Sequence, residues 1–89
     1  MQLVLYSKPG CHLCEGLQEK LEQISAIDLE IRDITTRDDW FQAYQYEIPV
    51  LFLVKEAQTS SLLALPRPSP RATVRQLEQM LQKYGQADP

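Results

Sequence analysis

Apolar residues fall along this chain in short runs and periodic stripes, and each pattern predicts an element. Leu3-Val4-Leu5-Tyr6 is an unbroken apolar run, as expected of a central strand covered on both faces. Ser7-Lys8-Pro9-Gly10 reads as a loop, because Pro9 biases Lys8 to an extended backbone and Gly10 permits a sharp turn. Leu13, Leu17, Leu21 and Ile24 then recur at helical spacing, which predicts a helix from about Cys11 to Ser25. Glu15, Gln18, Glu19, Glu22 and Gln23 take its wet face. Gly16 costs such a helix about 1 kcal/mol relative to Ala, so it is read as a mark of close packing.

Leu29 to Ile34 mostly alternates apolar and polar residues and reads as a second strand, nearer the sheet edge. Thr35 or Thr36 is the expected N-cap of a short helix, with Asp38 or Asp39 three residues on. Trp40, Phe41 and Tyr44 give that helix an aromatic face, read as core, and Ile48-Pro49 ends it. Val50-Leu51-Phe52-Leu53-Val54 is a fully apolar strand. A polar turn over 55–60 leads to Ser61-Leu62-Leu63-Ala64-Leu65, its expected hairpin partner. Pro66, Pro68 and Pro70 enforce an extended connector. Ser69 is the expected cap of a last helix with Pro70 at its first position. Val74, Leu77, Leu81 and Tyr84 line that helix and Gly85 closes it. The order is β-α-β-α-β-β-α. The first two strands should be parallel with a right-handed crossover, and the last two antiparallel. An α/β fold follows, a four-stranded mixed sheet with helices on both faces.

Composition narrows the classes. The 89 residues suffice for one domain, taken as 1–86 with a short tail at 87–89. The net charge of -3 gives no reason to expect a nucleic-acid or membrane-surface partner, and a small acidic domain is expected to be a monomer. No apolar run is long enough to span a bilayer. The start of the chain lacks a basic flank and reads as a strand and not as a signal peptide, so the expected location is the cytoplasm. There, a close cysteine pair is more often catalytic, redox-sensing or metal-binding than structural.

The chain has two cysteines, Cys11 and Cys14, as Cys11-His12-Leu13-Cys14. They lie where the first strand hands over to the first helix. A thiol there meets unpaired N–H groups and the positive end of the helix dipole, both of which favour the reactive thiolate. Lys8 adds positive charge nearby. Glu15 opposes thiolate formation.

The segment from Tyr6 to Cys14, the Ile48-Pro49-Val50 step and the element order over roughly 2–84 resemble the thioredoxin fold, and its glutaredoxin branch in particular. The spacing C-x-L-C before an acidic residue is most similar to small glutaredoxin-like proteins. The resemblance implies a dithiol–disulfide oxidoreductase with Cys11 as nucleophile and Cys14 as the resolving thiol. It implies that His12 and Leu13, between the cysteines, tune the redox potential. It places Pro49 at the fold's cis-proline position, with Ile48 free to pair by its backbone with an extended substrate. Two departures stand out. His12 and Leu13 replace the usual proline and aromatic residue, and Leu65 to Pro70 lacks the glycine pair that lets glutathione approach the backbone. No resident cofactor or metal is expected, with glutathione as a possible co-substrate. The partners would be a disulfide-containing protein or glutathione, and a reductase the sequence does not identify. A redox-inactive binding module and a metal or iron–sulfur site on the C-x-x-C are the alternative classes. Arg67, Arg71 and Arg75 read as a solvated face, and Asp33 as a polar residue at a strand end.

Overall fold

Leu3 and Leu5 point to one face of the sheet and Val4 and Tyr6 to the other, and all four are buried because β1 (Gln2–Ser7) is an inner strand. The computed structural model describes residues 1–55 and 61–85. The remaining elements are α1 (His12–Glu22), β2 (Asp28–Asp33), a 3-10 turn (Ile34–Thr36), α2 (Asp38–Tyr44), β3 (Val50–Lys55), β4 (Ser61–Ala64) and α3 (Val74–Gly85). The sheet order is β2-β1-β3-β4. β1 and β2 are parallel, with Leu3 opposite Leu29, and β3 is antiparallel to both β1 and β4. This is the expected mixed four-stranded thioredoxin-like α/β fold. β2 lies at an edge, which is why it alternates where β1 and β3 do not.

The two sheet faces carry two cores. Leu3, Leu5, Leu51 and Leu53 pack with Leu17, Leu21, Leu77 and Leu81 under α1 and α3. Val4, Tyr6 and Ile34 pack on the other face with Trp40, Phe41, Tyr44 and Phe52. The aromatic residues of α2 are therefore half-buried against this second core. Tyr6 sits among three aromatic rings from α2 and β3, with ring centroids 4.4 Å from Tyr44, 5.6 Å from Trp40 and 5.7 Å from Phe52. Its hydroxyl accepts from Arg32 at 2.8 Å. No helix among the described residues is long and apolar enough to cross a membrane.

Several expected boundaries move, each for a local reason. α3 begins at Val74 and not after Ser69. Thr73 and Gln76 form a reciprocal capping box: the Gln76 N–H donates to Thr73 Oγ1 at 3.1 Å and the Thr73 N–H to Gln76 Oε1 at 2.9 Å. Ser69 instead closes a turn, its hydroxyl accepting from the Arg71 N–H. Neither Thr35 nor Thr36 caps α2. Arg37 takes that place with no side-chain cap bond, while Asp33 caps the preceding 3-10 turn by accepting from the Thr35 N–H at 2.9 Å. Gly16 does not mark close packing, since a Cβ there would meet nothing within 4 Å. Of the polar turn expected over 55–60, Lys55 instead ends β3 and 56–60 lie outside the described residues, as does the expected tail at 87–89.

Candidate active site

The end of β1 delivers the chain to Gly10, whose φ of +82° makes the turn a side chain would resist. Cys11 follows with extended backbone (φ -87°, ψ 104°) and is itself the N-cap of α1. Its Sγ takes the place a serine or aspartate oxygen usually fills, accepting from the Cys14 N–H at 3.2 Å. One turn on, Cys14 is 1% exposed, while Cys11 is partly exposed. The two sulfurs are joined as a disulfide across Cα atoms 5.3 Å apart. Only the outer sulfur is open to attack, and when the bond is reduced the same N–H and the helix dipole face the Cys11 thiolate.

Around this pair the other expected site residues divide. Lys8 is exposed, and its carbonyl accepts the Cys11 N–H at 3.3 Å. The His12 side chain is 96% exposed, with Nδ1 3.8 Å from Glu15 Oε1, a pairing that is ionic only with the imidazole protonated. Leu13 departs from the buried stripe expected of it. It is 52% exposed, whereas Leu17, Leu21 and Ile24 are buried. In the first turn of α1 the inner position belongs to Cys14, and Leu13 turns to the surface. It lines a groove of about 240 Å³ with Gly16, Leu17, Pro49 and Pro68.

Pro49 is buried, and the Ile48–Pro49 bond is cis. The expectation that the Ile48 backbone is free does not hold. Its N–H donates to the Tyr44 carbonyl at 3.2 Å, an end-of-helix acceptor it shares with the Glu47 N–H at 2.9 Å. Its carbonyl accepts from Arg67 Nη2 at 2.7 Å, and the Glu47 carbonyl from the same nitrogen at 3.0 Å. Arg67 is therefore tied to this loop and is not part of a merely solvated face. Lys20, which sequence reasoning passed over, is a second tether. Its Nζ donates to the Pro70 carbonyl at 2.9 Å and to the Ala72 carbonyl at 2.6 Å, fixing the connector against α1. The available signal was a lysine on the wet face facing a proline-rich segment whose carbonyls have no strand partner.

The groove lining joins apolar side chains to the cations Lys20 and Arg67, and among the described residues no acidic side chain lines it. On the other side of the cysteines a depression of about 230 Å³ reaches Cys14 between Lys8, Glu15 and Asp33. The Asp33 carboxylate accepts from both the Thr35 N–H and its hydroxyl, as a strand-end cap does. Further from the sulfurs, Arg37 beside Asp39 holds that carboxyl below its ordinary range, and the bond to Glu30 raises the Arg32 pKa. Among the described residues no three His, Cys, Asp or Glu side chains gather as a metal-ligating group.

Comparison with known proteins agrees with this geometry. A family model described as glutaredoxin-like domain (DUF836) matches residues 2–82. No protein of curated function matches the sequence. Among solved structures, a structural-genomics target protein from X. campestris is 26% identical, with 91% of this chain and 96% of that one covered and a TM-score of 0.61. Thioredoxin 1 from Thermosipho africanus is 15% identical, with 94% and 93% covered and a TM-score of 0.62. A malarial protein is 14% identical over 92% and 93%, also with a TM-score of 0.62.

Proposed function

The chain belongs to the glutaredoxin-like domain (DUF836) family, and on that premise we propose that it is a dithiol–disulfide oxidoreductase acting through Cys11 and Cys14. The observation that carries the proposal is the asymmetry of the pair: an accessible sulfur at the helix N-cap joined to a buried one a turn below.

In the reduced protein the Cys11 thiolate attacks one sulfur of a substrate disulfide. That S–S bond breaks, the first substrate sulfur leaves and takes a proton from solvent, and a mixed disulfide to Cys11 remains. Cys14 loses its proton and attacks Cys11 Sγ. The second substrate thiol departs, and the Cys11–Cys14 disulfide holds the oxidation that the substrate has lost. Two electrons pass to the substrate, and a thiol donor, either glutathione or a dithiol reductase, restores the dithiol. The substrate is a disulfide-containing protein or a glutathione mixed disulfide, and the setting is the cytoplasm. Lys8, His12 and Leu13 tune the pair, and Pro49 forms the wall against which the substrate lies.

The test is substitution of each cysteine. Cys11→Ser should abolish disulfide exchange. Cys14→Ser should stop at the mixed disulfide, detectable by mass. Retained turnover in Cys11→Ser protein would sink the proposal.

A further inference from the structure

Arg67 and Pro49 are shared by two depressions: the groove beside Leu13, and a second of about 250 Å³ bounded by Tyr46, Glu47 and Val50. Arg67 lines both and ties the connector to carbonyls 19 and 20 residues earlier in the chain. No carboxylate pairs with it among the described residues, so its hydrogen bonds go to the backbone. Guanidinium–carbonyl bonds of this kind are charge-assisted and stronger than neutral ones.

The position matters because of what is left at the Ile48–Pro49 step. Pro49 has no N–H, and the Ile48 N–H is committed to Tyr44. The Ile48 carbonyl is a backbone acceptor there for an incoming peptide, and Arg67 already holds it. An extended peptide placed along the groove loses water from its own N–H groups and needs acceptors for them. A small disulfide with no amide groups has no such need.

We propose that Arg67 is a specificity-determining residue: it caps the Ile48 carbonyl and closes the groove at Pro49, and so disfavours extended peptide disulfides relative to small ones. This rests on the oxidoreductase reading above.

The experiment is single-turnover oxidation of the reduced protein by two probes, hydroxyethyl disulfide and a neutral extended peptide disulfide. Formation of the Cys11–Cys14 disulfide is followed by acid quench and mass. Arg67→Met keeps an apolar stem and removes the donors. It should lower the half-saturating concentration of the peptide about fivefold, the worth of one net hydrogen bond, with the limiting rate unchanged. The reaction with hydroxyethyl disulfide should not move. Arg67→Lys, which retains a cation, should keep most of the discrimination. The proposal is overturned if Arg67→Met shifts both probes equally or weakens the peptide. If wild-type protein is oxidised by neither probe, the oxidoreductase reading itself fails, a result distinct from unaltered selectivity in an active protein.

Discussion

Leu13 and Leu21 stand on one periodic stripe in the sequence, and replacing each by alanine should have opposite consequences. Leu21 is fully buried, packed with Leu3, Leu5 and Leu77 between sheet and helices. Leu21→Ala removes apolar burial and leaves a cavity, a change that costs about 2–5 kcal/mol. A domain of this size holds roughly 4–13 kcal/mol in all. At about 4–8 °C per kcal/mol, the melting temperature should fall by about 8 °C or more. Leu13 is 52% exposed and lines the groove, so Leu13→Ala should stay within about 0.5 kcal/mol of wild type. Its effect should appear in exchange with apolar disulfides, as a raised half-saturating concentration. The assay is thermal denaturation followed by circular dichroism, paired with exchange kinetics well below the transition. In Leu21→Ala protein the folded fraction should exchange at the wild-type rate, because the N-cap bond at Cys11 is local to the first turn. Equal destabilisation by the two substitutions would refute the division of this stripe into core and site.

Gly16→Ala should stabilise α1 by up to about 1 kcal/mol, since a methyl there meets nothing within 4 Å; it should also slow exchange with bulky apolar disulfides, because Gly16 lines the groove. Thr73→Ala breaks the capping box of α3 and should cost about 1 kcal/mol in chemical denaturation. Burial pushes the Tyr44 phenol above its ordinary value of 10.0, and the neighbouring Tyr6 adds to the rise. The fold therefore favours the neutral phenol, and this contribution is fully present below pH 10 and lost as the pH climbs through the raised value. Tyr44→Phe should remove that alkaline loss, read as a flatter stability profile above pH 10.

The strands were legible because their signal is local: runs for the inner strands, alternation for the edge. The cysteine pair was legible for the same reason, since motif and helix start are adjacent. Helix starts were less so. Pro70 after Ser69 offered a cap signal, but Thr73 and Gln76, three apart, make two reciprocal bonds where Ser69 makes a turn. Leu13 keeps the helical period yet lies outside the core, because periodicity alone cannot say that Cys14, one residue on, takes the buried position in the first turn. The tethers from Arg67 and Lys20 span 19 to 52 residues. They depend on free carbonyls that only the folded connector and the Ile48–Pro49 loop create.

An anaerobic redox titration of the purified protein in thiol–disulfide buffers tests the paired chemistry of Cys11 and Cys14 most directly. Cys11 and Cys14 are read by alkylation and mass at each potential. A single two-electron transition is expected, in which both thiols disappear together into the intramolecular disulfide, with any mixed disulfide found on Cys11. Cysteines that titrate independently, or a mixed disulfide accumulating on Cys14, would contradict it.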